Sequence, residues 1–187
     1  MQAGENETPS GPLRPEAKDL SSPALSQDKP GDTIKGRKIA VLGGDGVDAK
    51  QLGAVNDALM AQEALVELIA AHAGMITDSA GKPQKVNRAA PNAPSVVYDA
   101  VVVLGGSSAA ALAKSGAAIN FLNEAYRHGK PIAVIGDGSL LLEACSLGEA
   151  QPQDGVIVGE GAIAIDGLIA ALLQHRFPRR LIAGVPA

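Results

Sequence analysis

"PIAVIGDGSLLLEA", residues Pro131–Ala144, decides how the chain folds. Ile132 to Ile135 are apolar and mostly β-branched, which reads as a short buried strand; Gly136-Asp137-Gly138 is a turn, and Ser139 onward has helical character. A strand that runs through a tight turn into a helix lifts the turn above the edge of a sheet, the layout on which many α/β enzymes mount a nucleophile. This turn offers Gly136, Asp137, Gly138 and Ser139, and no cysteine.

The same grammar repeats on either side. Lys38 to Leu42 in "GRKIAVLGGDG" form an apolar run followed at once by glycines, and "YDAVVVLGG" carries an unbroken run suited to a strand covered on both faces. "GVIVGEG" reads as a last strand and "AIDGLIAALLQHRF" as a terminal helix containing His175. Between the first two strands, "DAKQLGAVNDALMAQEA" places Leu52, Val55, Leu59 and Met60 on one helical stripe, and "ALVELIA" reads as a second strand. "GMITDSAGKPQKVNRAAPNAPS" suggests a small hairpin about a Gly-Lys-Pro turn. Ala109 to His128 reads as helix, broken near Ser115 and Gly116, with Ile119, Leu122 and Ala125 or Tyr126 facing inward. Strands alternating with helices predict an α/β fold: a doubly wound, mostly parallel sheet with helices on both faces.

Composition agrees. The 187 residues are 46% hydrophobic, with only two Tyr, two Phe and no Trp, so the core must be built from Ala, Val, Leu and Ile on closely approaching elements. Residues 1–35 are rich in Pro, Ser, Gly and acidic side chains and read as a flexible linker. The folded domain is expected to span 36–187. A net charge of -4 and the scarcity of aromatics argue against nucleic-acid binding. One cysteine and three scattered histidines give no metal-ligand spacing and no disulfide. No run approaches the ~18 apolar residues of a membrane span and the N-terminus lacks an apolar leader, so a cytoplasmic location is expected.

Ligands of such sheets bind where strands end, which directs attention to "GGDGVDA", "LGGSSAA" and "IGDGSLL". Gly44-Asp45-Gly46-Val47-Asp48-Ala49 matches the permissive dinucleotide pattern G-x-G-x-x-G/A. Asp45 and Asp48 would, however, crowd a pyrophosphate, and only Glu63 and Glu67 lie near the second strand as ribose acids. At the 131–144 turn, Ser139 reads first as a helix N-cap and only second as a nucleophile; Asp137 reads as a turn residue. Cys145 is expected to be a buried small hydrophobe, and His128 to sit at a helix end.

Taken together, "IKGRKIAVLGGDGVDA", "APSVVYDAVVVLGG" and "EAYRHGKPIAVIGDG" resemble the domain shared by PfpI-type proteases, DJ-1-like proteins and class I glutamine amidotransferases. With "SPALSQ" and "LLQHRFPRRLIAGVPA" added, residues 21–187 more narrowly resemble the C-terminal domain of large-subunit catalases with its preceding linker. The resemblance implies a flavodoxin-like three-layer α/β/α sandwich. In active PfpI or DJ-1-like relatives the turn reads approximately A-I-C-H/A-G. The cysteine position falls on Gly136, the next on Asp137, and the glutamate of the first loop on Asp48. Thiolate catalysis therefore does not carry over.

Haem catalases bind iron through a tyrosine with an arginine four residues before it. Here the residues four before Tyr98 and Tyr126 are Pro94 and Leu122, so no cofactor is expected in this chain. What the resemblance implies is a non-catalytic module that supports the tetramer of a catalase acting on hydrogen peroxide, partnered by the haem core or by further copies, with a chaperone-like role toward unfolded clients. Two other readings remain open: a divergent hydrolase or glyoxalase using Asp137 or Ser139 with Asp48, and a module holding a small anionic or nucleotide ligand in the glycine turns.

Overall fold

A computed structural model describes residues 30–145, 147, 154–180 and 185. Most of the expected linker, residues 1–29, lies outside the described residues. Within them, packing begins before the composition break at Gly36: Ile34 is fully buried in the core, and Gly31 N donates to Leu173 O at 2.6 Å.

In chain order the elements are β1 (Lys38–Leu42), α1 (Ala49–Ala61), β2 (Leu65–Ala70), β3 (Gly74–Thr77), β4 (Pro83–Val86), β5 (Arg88–Ala89), β6 (Ala100–Val103), α2 (Ala109–Leu112), α3 (Gly116–Arg127), β7 (Ile132–Ile135), α4 (Ser139–Ala144), β8 (Val156–Gly159) and α5 (Gly161–Gln174). Six strands form one sheet in the order β5-β2-β1-β6-β7-β8, and every pairing in it is parallel. Ile39 sits between Val66 on one side and Ala100 on the other. β3 and β4 form a separate antiparallel hairpin, as the Gly-Lys-Pro turn predicts.

Parallel strands are covered on both faces, and the alternation of side chains shows it. Ile39, Val41, Val102 and Ile135 point into a core with Leu52, Val55 and Leu59 of α1 and Ile165, Leu168 and Leu172 of α5. Ala40, Leu42, Val103 and Val134 point the other way, onto Phe121, Leu122 and Tyr126 of α3, Leu112 of α2 and Leu141 of α4. The result is a three-layer α/β/α sandwich. Each wholly buried Val, Leu or Ile contributes about 1.5–3 kcal/mol by leaving water. Small residues let the layers approach: a Cβ on Gly167 of α5 would stand 2.9 Å from Ile157 Cγ2 of β8.

Four expectations shift. Met60 is 64% exposed, because the inward stripe of α1 closes at Leu59, where the chain turns toward β2. Ile119 is only partly buried, and Ala118, Phe121, Leu122, Ala125 and Tyr126 fill the inner face of α3. Ser139 is not an N-cap: a 3-10 turn over Gly136–Gly138 runs straight into α4, which leaves no extended residue to cap, and Ser139 is already helical. His175 follows α5 rather than lying in it, with φ 71°. β5, two residues long, carries no periodic signal in the sequence.

Among the described residues, no helix is long and apolar enough to cross a membrane.

Candidate functional site

The carboxyl ends of β1, β6 and β7 meet at the turn after β7. Gly136 there adopts φ +55°, the left-handed conformation of a strained strand-to-helix elbow. A Cβ on Gly138 would stand 2.8 Å from Val103 O, so the elbow rests directly on β6. Asp137, at its tip, is exposed, and Ser139 is half-buried.

The elbow is not open beneath its tip. Gln51, from the first turn of α1, reaches over the sheet: its Oε1 accepts from Gly105 N at 2.8 Å. Its Nε2 lies 2.9 Å from the point where a Cβ on Gly136 would sit, and both carboxylate oxygens of Glu160 lie 3.5 Å from the same point. A carboxamide and a carboxylate thus surround the position the resemblance assigns to a nucleophile. Neither supplies the thiol on which thiolate catalysis depends.

Asp48, the first-loop acid, faces elsewhere. Its side chain caps α1, accepting from Lys50 N at 2.8 Å and Gln51 N at 2.9 Å, while its own N–H donates to Gly105 O. The backbone of Asp48 therefore belongs to the elbow neighbourhood, and its carboxylate is committed to its own helix. Asp45 accepts from Thr77 N at 2.8 Å, tethering the β3–β4 hairpin. Gly46, with φ +83°, has no room for a side chain because Ser107 Oγ occupies that space. Gly46 thus serves close packing between the loops after β1 and β6.

The remaining candidates lie apart. His175 Nε2 is 3.2 Å from Asp99 Oδ1, and Asp99 also accepts from Lys38 N at 2.9 Å and Arg37 Nη1 at 3.3 Å. That cluster sits where β1 and β6 begin, at the end of the sheet opposite the elbow. His128 ends α3 and pairs with Glu124 at 3.3 Å. Cys145 is partly buried, and burial pushes its thiol up to about 12, as suits a small hydrophobe and not a reactive thiolate.

Gln51 and Glu160 are the site residues that sequence reading misses. Asp48-Ala49-Lys50-Gln51 does have capping-box spacing. Only the Asp48 half of the box forms; the carboxamide of Gln51 turns away to Gly105.

The family of C-terminal domains found in long catalases matches residues 35–182. The chain is 37% identical over 182 residues to catalase HPII of Mycobacterium avium, covering 89% of this chain and 26% of that protein. It is 38% identical over 183 residues to catalase HPII of Pseudomonas aeruginosa, covering 94% of this chain and 25% of that one. The chain therefore spans about a quarter of the length of these catalases. Among solved structures, Toxoplasma gondii DJ-1 aligns with TM-score 0.59 at 16% identity, over 71% of this chain and 86% of that one. A DJ-1 superfamily protein of Salmonella typhimurium aligns with the same TM-score, 0.59, at 22% identity, over 71% of this chain and 86% of that one. These structures share the fold, and the elbow described above is built on it. By the match over residues 35–182, the chain belongs to the family of C-terminal domains of long catalases.

Proposed function

We propose that this domain is a non-catalytic module of a large-subunit catalase that supports the stability and assembly of the enzyme's tetramer. The observation that carries the reading is the elbow itself: its left-handed backbone is kept at Gly136, while its reactive position has no side chain and is crowded by Gln51. Architecture that persists without a reactive group favours a role in packing and contact over one in chemistry.

The reading includes no haem in this domain. Tyr98 is 1% exposed, and its hydroxyl donates to Glu67 Oε2 at 2.6 Å. Tyr126 is buried beneath the guanidinium of Arg180, whose Cζ lies 4.6 Å from its ring centroid. Neither core phenol fits the part of an iron ligand. Decomposition of hydrogen peroxide would then belong to a haem core, the partner this module contacts, and a chaperone-like role toward unfolded clients is part of the same proposal.

A chimera tests it. Residues 21–187 replace the matching C-terminal quarter of Pseudomonas aeruginosa catalase HPII, beside a truncation lacking that quarter. The chimera is expected to keep the assembly and heat resistance that the truncation loses. Equal heat lability of chimera and truncation would refute the supporting role. For the chaperone-like part, the purified chain is added to a client protein during heating; no suppression of aggregation at stoichiometric ratio removes it.

A further inference from the structure

The end of α3 and the chain after α5 close on each other through their backbones: Phe177 N donates to Gly129 O at 2.8 Å. Gly129 has φ +65°, and a Cβ there would stand 3.1 Å from Phe177 O, so the two segments touch with no side chain between them. Beside this contact, at the end of the sheet opposite the elbow, lies a cavity of about 360 Å³. Arg127 and His128 line it from the end of α3, and Arg176, Phe177, Pro178 and Arg180 from the other segment. Three arginines and a histidine thus share one cavity with no carboxylate in its lining, in a chain whose net charge is -4.

The nearby carboxylates do not cancel this charge. Glu124 is taken up by His128 at 3.3 Å. Asp99 Oδ1 stands 4.0 Å from Arg176 Nη2, beyond hydrogen-bond reach, and it also serves Arg37 at 3.3 Å and His175 at 3.2 Å. Asp154 lies by Arg180, whose guanidinium is committed to three backbone carbonyls and so contributes fixed charge. Arg127 is exposed, makes no ion pair among the described residues, and donates from Nη1 to Val185 O at 2.9 Å. The side chains of His128 and Arg176 keep 51% and 24% of their surface open, so a ligand can reach them. Lys130, whose carbonyl Arg180 holds, registers the surplus: burial, and after it the charge of Arg176, lowers it to about 8.

Guanidinium forks match the oxygens of a phosphoryl group, which carries close to two negative charges at neutral pH. The volume is at the low end for pockets that take small molecules, and Phe177 and Pro178 set apolar surface beside the cations. We propose that this cavity binds a small molecule by its phosphoryl groups, to which Arg127 and Arg176 donate while Arg180 adds fixed charge. An anion thus settles at the opposite end of the sheet from the glycine turns to which the sequence points.

The test uses the full chain labelled with 15N and titrated at low salt with pyrophosphate, ADP and succinate. Both phosphoryl compounds are expected to saturate and to shift the amides of His128, Gly129 and Phe177, and succinate to bind about tenfold more weakly. Arg127→Gln and Arg176→Gln are each expected to lower the affinity about tenfold, whereas Arg179→Gln, exposed and outside the cavity, leaves it unchanged. Arg127 is exposed, so its variant reads the site even where Arg176→Gln unsettles the Asp99 cluster. Tighter binding of ADP assigns an organic phosphate lying on Phe177, and equal or tighter binding of pyrophosphate assigns the inorganic ion; both uphold the site. No saturation, succinate binding as tightly, shifts confined to Gly44 and Gly46, or an affinity that Arg127→Gln lowers no more than Arg179→Gln does overturns it.

Discussion

Gln51 Nε2 lies 2.9 Å from the place where a side chain on Gly136 would begin, so a side chain there must displace the Gln51 carboxamide from the elbow. Gly136→Ala forces a Cβ into that space and into a φ of +55° that costs an L-residue about 1–2 kcal/mol. Gln51→Ala relieves the contact but not the backbone strain, and it loses the bond to Gly105 N. In urea unfolding, the double variant is expected to lose less stability than the sum of the two singles, as contacting residues do. Strict additivity would show that Gln51 does not occupy the elbow.

Arg180 ties the chain's end to the sheet. Its guanidinium is buried and donates to three backbone carbonyls: Asp154 O, Tyr126 O at 2.9 Å and Lys130 O at 2.6 Å. Arg180→Ala removes three hydrogen bonds from a buried guanidinium and its packing on the Tyr126 ring, and is expected to cost about 3 kcal/mol or more. Arg180→Lys, with one compact ammonium, is expected to recover only a minor part. A loss below about 1 kcal/mol in Arg180→Ala would contradict this anchoring.

Alkaline pH separates two buried groups. Burial, with Arg176 nearby, lowers Lys130 to about 8 from 10.5. Between those values the unfolded chain binds a proton that the folded one does not, so stability rises with pH there. Cys145 acts in the opposite sense. Its folded thiol is raised from 9.0 to about 12, so above 9 the unfolded chain releases a proton that the folded one keeps, and stability falls. The urea midpoint is expected to rise from about pH 8 to 9 and then level off. Cys145→Ala should prolong the rise to near pH 10, where Tyr98, also raised by burial, begins to oppose it. Lys130→Met should abolish the rise, and a flat wild-type profile from pH 8 to 9 would contradict the Lys130 assignment.

Much of the fold is legible because parallel strands buried on both faces must be unbroken apolar runs. "AVVV" of β6 and "IAVI" of β7 have no other comfortable reading. β5 escapes because Arg88 and Ala89 join the sheet only by pairing with Ile69 and Ala70, a contact that nothing local encodes. Ser139 misleads because serine before an apolar run is a cap signal, yet the helical turn at Gly136–Gly138 has already begun. The site is less legible than the fold. Gly136 can be located by its place after the strand, but Gln51 looks like any polar residue in the first turn of a helix. Its role arises only when the loops after β6 and β7 converge beneath it.

Turnover at the elbow is the most direct test of its loss of chemistry. The purified chain, Asp137→Ala and Ser139→Ala are assayed side by side on ester, peptide and glyoxal substrates. All three proteins are expected to show the same background rate, since Gly136 offers no nucleophile and the Asp48 carboxylate is held by Lys50 N and Gln51 N. Turnover above background by the unaltered chain, lost on replacing Asp137 or Ser139, would contradict the account and make the elbow a working active site.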